Sequence, residues 1–344
     1  MQTEITTPSD LLDKNGYLVQ KGWARRPLLA YNRENIHAGW HRIKEWDYYA
    51  VLGPNYGITF TIADLGYLAL CSVAWLDFNL NIAIQGQDLL LMPKGALNLP
   101  RASDSGDTKF AGKKVQLNFS ADGATRVLSI DYPNFHRGKD LRGEIALRQD
   151  PLMDIIVVAT PFKRKTAFYY NQKVNCMPAT GVIHFGDEQL AFAPETCFGC
   201  LDWGRGVWTY KNTWYWGSAS GLAGGVPVGW NIGYGFGILD THTENMVFYN
   251  GVGHKLDEVT FNIPTDARGH EAYLQPWTFA SNDGRFEMAF EPAIDRSGQM
   301  NILLLKTVQH QVFGYYTGDV VLDDGQKIHV DHLLGFAEKV FNRW

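Results

Sequence analysis

The stretch CFGCLDWGRGVWTYKNTWYWGSASG, residues 197–221, sets Asp202 and Arg205 among Trp203, Trp208, Trp214 and Trp216. Charged groups are seldom buried without a partner, so an acid and a guanidinium embedded in indoles need a reason. One reason is a mutual ion pair that locks a turn. The other faces a ligand: Arg205 holds an anionic or polar group, and Asp202 serves as acid, base or hydrogen-bond acceptor. The tryptophans read first as core or pocket wall, because aromatics dominate packing volume. Glu338, in the apolar closing segment GFAEKVF, is the second candidate acid. Its plain alternative is an outward-facing strand or helix residue.

Other polar groups carry weaker signals. Asp131 and His136 share the loop-like IDYPNFHRG, and His184, Glu195, His242 and Glu244 stand in glycine-rich or aromatic surroundings. Cys197 and Cys200 have a spacing used for zinc or redox chemistry, yet no second pair and no His pair complete a site. The run GSASGLAGGVPVGWNIGYGFG lacks the G-x-G-x-x-G and Walker lysine of nucleotide loops. If it is a strand, Gly233, Gly235 and Gly237 lie on one face, where a ligand or ring can approach the backbone beside Tyr234. No metal and no cofactor are expected.

The elements that position these groups are mostly strands. GITFTIAD and YLALCSVAWLDF flank a turn at residues 64–66, and KKVQLNFS and TRVLSID flank Ala121-Asp122-Gly123. RGEIALR and DIIVVAT continue the series, and Asn282-Asp283-Gly284 and Asp323-Asp324-Gly325 punctuate the second half in the same way. Residues 36–46 are the exception, since Ile36, Trp40, Ile43 and Trp46 fall near helical spacing and predict one short amphipathic helix. Residues 207–218 predict a hairpin turning at Lys211-Asn212, with Trp214, Trp216 and Ser218 on one face and Thr213, Tyr215 and Gly217 on the other. The expected fold class is all-β, two antiparallel β-barrel or sandwich units with few short helices, divided as 1–185 and 186–344 within the loop-rich 180–201.

Composition narrows the function classes. The 344 residues are 45% hydrophobic and 19% charged, a balance that folds without staples. The net charge of -5 and the scattered basic residues exclude the cationic stripe that nucleic acid requires. Apolar runs fall short of the roughly 20 residues of a membrane-spanning helix. The leader MQTEITTPSD has neither the basic nor the apolar region of a secretory signal, and four dispersed cysteines suit a reducing compartment, so a cytoplasmic protein is expected.

The segments GWARRPLLAYNR, RIKEWDYYAV, LDWGRGVWTYKNTWYWGSASG and HLLGFAEKVFNRW, in this order, resemble the bacterial and protist family of domain of unknown function 2804 across nearly the whole chain. The ending GYYTGDVVLDDGQKIHVDHLLGFAEK is similar in layout to the last strand pair of acyclic carotenoid hydratases and tocopherol cyclases. That likeness implies two lipocalin-like units and places Glu338 at the glutamate of the family ending. It also implies a chemistry that begins with protonation of an alkene carbon, for which a dry, protonated acid beside cation-stabilising rings is suited. The His-x-Trp and Tyr-x-Asp patterns of the hydratases have no match in this chain, which weighs against carrying over the reaction itself.

Three functions compete. The first is an enzyme acting on a hydrophobic or isoprenoid-like small molecule, with Asp202 and Glu338 as catalytic acids and Trp203, Arg205, Trp208, Trp214, Trp216 and Tyr234 as the ligand site. The second is a non-catalytic lipid carrier. The third is a carbohydrate-active protein, which needs paired carboxylates in an open polar cleft.

Overall fold

Alternating apolar residues and Asn/Asp/Gly turns produce strands almost throughout: in the computed structural model, which describes residues 2–302 and 305–343, 63% of the chain is strand and 2% helix. The strands form two curled antiparallel half-barrels, a 13-stranded sheet and a 9-stranded sheet, beside a short parallel pair of Ser9–Asp10 with Leu29–Ala30. Among the described residues no helix is long and apolar enough to cross a membrane.

The helix expected over 36–46 is not formed. One 3-10 turn, Arg33–Asn35, ends just before it, a second, Trp40–Arg42, lies within it, and Ile43 already begins the strand Ile43–Leu52. Tyr48, Tyr49 and Val51 favour a strand, and every residue of that strand except Trp46 is buried, so tertiary packing overrides the helical spacing. The hairpin expected over 207–218 is also replaced. Phe198–Val207 pairs with Ile43–Leu52 and Phe168–Phe185 in the first sheet, whereas Lys211–Ala223 pairs with Val226–Tyr234 and Lys327–Arg343 in the second. The chain thus changes sheets at residues 208–210, and the stretch 180–201 that signals a boundary lies within the first sheet. Val226–Tyr234 ends before Gly235 and Gly237, whose φ values of 89° and 83° belong to a turn rather than to a strand face.

Three cores result. The first fills the 13-stranded sheet with Trp203, Tyr170 and Phe60. The second fills the 9-stranded sheet with Trp230, Trp277 and Tyr316. The third lies between the sheets and joins Tyr48, Cys200 and Leu76 of one to Trp216, Phe313, Phe336 and Ile294 of the other. Period two explains the division: in each central strand one set of side chains points into its own half-barrel and the alternate set points into the seam.

Polar ties cross the seam. Asn175, at a bulge where Cys176 adopts φ 58°, donates to Ser218 Oγ at 2.8 Å and to the Trp230 carbonyl at 3.0 Å. His242 lies 2.9 Å from Thr160 Oγ1 through Nε2 and 3.0 Å from Thr241 Oγ1 through Nδ1. Burial, with the Lys255 charge second, lowers the His242 pKa from 6.5 to about 4. The folded state therefore binds this proton less readily than the unfolded chain, so the contribution is present above pH 6.5 and is lost as pH falls towards 4. At 1.36 kcal/mol per unit the loss approaches about 3 kcal/mol. Urea unfolding of His242→Asn and the parent at pH 4 and pH 7 checks this: the variant is expected to lose less stability on acidification, and equal losses would remove His242 as the cause.

Candidate functional site

The seam face of the second sheet carries a transverse row of polar and aromatic side chains. Arg296 of Phe286–Ile302 stands opposite Gln311 of Leu305–Val321, Gln311 opposite Glu338 of Lys327–Arg343, and Glu338 opposite Trp216 of Lys211–Ala223. The first sheet presents its own row, in which Thr61, Tyr48, Asp202 and Lys173 are successive register partners. The two rows interlock: Tyr48 Oη donates to Gln311 Oε1 at 3.2 Å, and Lys173 Nζ sits 3.8 Å from the centroid of the Trp216 ring.

Glu338 is at the centre of this arrangement and is 4% exposed. Trp214 Nε1 donates to its Oε1 at 2.8 Å and Gln311 Nε2 donates to its Oε2 at 3.1 Å. Because Tyr48 donates to the Gln311 carbonyl oxygen, the amide group of Gln311 is turned towards the glutamate. Burial raises the Glu338 pKa from 4.5 to about 7, against the opposing hydrogen bond from Trp214 and the charges of Arg296 and Lys173. Both protonation states are thus accessible near neutral pH, the condition that suits a general acid. Glu244 is raised in the same direction by burial, and its Oε2 is buried without a hydrogen-bond partner. Its other oxygen lies against Gly233, where an added Cβ would come within 2.5 Å. Tyr48 and Tyr169 are pushed well above their usual range, chiefly by burial, and remain phenols.

Asp202 is held differently. Its Oδ2 accepts an ion pair from Lys173 at 2.8 Å, and its Oδ1 accepts from Asn171. The two candidate acids therefore sit in different surroundings: Asp202 is the counter-ion of the buried Lys173 ammonium, whereas Glu338 accepts only neutral donors and is the one whose pKa is raised to about 7. Around them, Trp208 packs edge-on against Trp46 at 5.0 Å, Trp214 at 5.5 Å and Phe236 at 4.3 Å between ring centroids.

The remaining residues singled out in the sequence lie elsewhere. Arg205 does not meet Asp202, because an odd spacing within Phe198–Val207 turns the two to opposite faces. Arg205 is 0% exposed inside the first half-barrel, where it donates to Asp47 Oδ1 at 2.9 Å and to the carbonyls of Trp46, Gly204 and Pro100. Trp203 packs under its guanidinium at 4.0 Å, and Tyr234 stacks on Tyr215 at 4.6 Å in the second sheet. Asp131 pairs with Arg142 on the surface, while His184 and Glu195 are exposed. Cys197 and Cys200 belong to different cores, so this pair does not converge on one metal. Lys173, Gln311, Tyr48 and Arg296 went unrecognised in the sequence; alternation within their strands was the one signal that pointed them towards a common face.

The profile of DUF2804, domain of unknown function, matches residues 2–344. The chain belongs to the DUF2804 family. Among solved structures this DUF2804 chain is similar to CghA at 12% identity, with 100% of this chain and 97% of CghA covered and a TM-score of 0.52. CghA with Sch210972 gives 12% identity, 88% coverage of both chains and a TM-score of 0.51. Kievitone hydratase from Nectria haematococca gives 10% identity, 88% coverage of both chains and a TM-score of 0.48. A search of curated proteins found no match. At 12% identity the likeness to CghA shows a shared fold.

Proposed function

We propose that this protein binds a hydrophobic small molecule in the seam between its two half-barrels and that Glu338 protonates it, in a hydratase or cyclase type of reaction. The observation that carries the reading is the Glu338 carboxyl itself: buried, raised to about 7, aimed by Trp214 and Gln311, and set among indole and phenol rings. In the forward step the Glu338 O–H bond breaks as the π pair of an alkene forms a C–H bond. The cation left on the neighbouring carbon is stabilised by an aromatic face and by the glutamate now ionised. Water, or a hydroxyl of the same molecule, then forms the C–O bond and returns its proton to Glu338, so acid and electron count are restored.

The seam is packed in this structure. A cavity of about 10 Å³, room for one water, lies among Ala50, Leu52, Cys200, Ser218 and Phe336. Occupancy therefore requires side chains to turn aside, and Trp214, half-buried and bound to Glu338, is the one we assign to that movement. CghA, which shares the fold, has been crystallised with Sch210972, so this architecture accommodates a small molecule in at least one protein. A surface concavity of about 460 Å³ bordered by Asp10, Asp13, Glu34 and His37 shares no residue with the seam. The open polar cleft that favours carbohydrate chemistry is not what holds these acids, since both are buried and Asp202 is ion-paired.

The test joins ligand capture to mutation. Native mass spectrometry of protein purified from its source identifies the bound compound, and turnover is then compared between the parent and Glu338→Gln. The amide retains the hydrogen-bonding shape but cannot supply the proton, so a loss of roughly 10²-fold or more is expected. Undiminished turnover in Glu338→Gln would remove the acid role.

A further inference from the structure

Arg296 is unlike Lys173, the other buried cation of the two rows, which Asp202 neutralises at 2.8 Å. Arg296 is 7% exposed, donates from one Nη to Thr59 Oγ1 at 3.2 Å, and leaves its Nε buried without a partner. No carboxylate of the described residues lies within 4.0 Å of it. A guanidinium keeps its charge, and its planar fork of N–H donors matches a carboxylate. Arg126 is also buried without a carboxylate, but Gln149 Oε1 and the Ser103 carbonyl take up its donors, whereas Arg296 has Thr59 alone among the described residues, so the donors of Arg296 are the ones left for a ligand to complete.

We propose that Arg296 is the anion-recognition residue of the seam and that the ligand is an amphipathic carboxylic acid. The inference rests on reading the seam as the ligand site. Lys173 is already paired with Asp202, so Arg296 is the cation of the two rows left for an anionic group of the ligand, and its planar fork fits a carboxylate with two parallel hydrogen bonds. The surroundings supply the rest of the chemistry, because Ile294, Phe313 and Phe336 of the inter-sheet core offer an apolar bed for a chain or ring. Arg296 and Glu338 are two strands apart through Gln311, roughly 10 Å between backbones. The carbon that receives the proton is thus several bonds from the acid group and not adjacent to it. A carboxylate on Arg296 also cancels the positive charge that favours ionised Glu338, so binding keeps the proposed acid protonated.

Decanoate and decan-1-ol, equal in chain length and different in headgroup, are the probes, and their binding is read by isothermal titration calorimetry and by the intrinsic fluorescence to which Trp214 and Trp216 contribute among eleven tryptophans. The parent is expected to bind decanoate at least tenfold more tightly than decan-1-ol, and Arg296→Met is expected to bind the two alike. A parent without that preference, or a preference that survives in Arg296→Met, overturns the proposal. Failure of both probes to bind overturns it together with the seam reading. The thermal midpoint of the parent freed of bound compounds gives an arm independent of any probe. Arg296→Met is expected to raise it, by removing an unpaired charge, and a lower midpoint would mean that Arg296 is a structural cation. Arg296→Gln provides the same comparison if the methionine variant fails to fold. Full turnover in Glu338→Gln alongside an intact preference for decanoate would remove the acid role while leaving the anion site in place.

Discussion

Replacing Arg205 by methionine is expected to destabilise the protein by about 3–5 kcal/mol, the range for removing one partner of a buried ion pair. The guanidinium is fully buried and makes four hydrogen bonds, to Asp47 Oδ1 at 2.9 Å and to the carbonyls of Trp46, Gly204 and Pro100 at 2.7, 2.9 and 3.0 Å. Without it Asp47 retains its bond from Thr108, and Glu45 retains Tyr31 and Arg33, but no cation then stands between the two carboxylates. Lysine at this position carries the charge without the fork and is expected to recover only part of the loss. Chemical denaturation measures the effect. A change below about 1 kcal/mol would mean that water or a rearranged partner satisfies the interior, contrary to the packing described. Arg205 lies on the far side of its strand from Asp202, so decanoate binding by folded Arg205→Met is expected to equal that of the parent.

Lys173→Met is expected to combine a similar loss of stability with a change at Glu338. Asp202, 8% exposed, would keep its Asn171 contact and lose its counter-ion, which again places the loss at about 3–5 kcal/mol. The double variant Lys173→Met/Asp202→Asn removes both charges, and most of the stability is expected to return. Lys173 is also one of the cations that lower the Glu338 pKa, so its removal is expected to move the Glu338 titration above 7. A raised Glu338 pKa means that the folded state holds this proton more readily than the unfolded chain. Its contribution is complete below about 4.5 and is lost as pH rises through 7, and in Lys173→Met the loss extends further towards the alkaline side. Denaturation of parent and variant between pH 5 and pH 9 reads this slope; parallel curves would show that Lys173 does not act on Glu338.

Which parts of this were legible in the sequence follows from the reach of each signal. Alternation and Asp-Gly turns are local, and they carried the all-β class and the common face of Trp214, Trp216 and Ser218. The reading of residues 36–46 failed because helical spacing competes with strand propensity, and burial on both faces of Ile43–Leu52 decided the outcome. Asp202 and Arg205 were joined by proximity in sequence, although a spacing of three separates them across a strand. Glu338 stood out through its place in an apolar ending. Its partners did not, because Tyr48, Lys173, Trp214, Arg296 and Gln311 come one from each of five strands spread over most of the chain. Only the pairing register brings them to one seam, and register is not a local property of any single strand.

The buried Glu338 of the seam is expected to hold its proton up to near neutral pH. Carbon-13 NMR of protein labelled at the glutamate side-chain carboxyl, with the Glu338 resonance assigned by its loss in Glu338→Gln, follows that proton directly. The midpoint for Glu338 is expected near 7, well separated from the exposed glutamates. A midpoint at or below 4.5 would show an ordinary ionised carboxylate and would contradict the account.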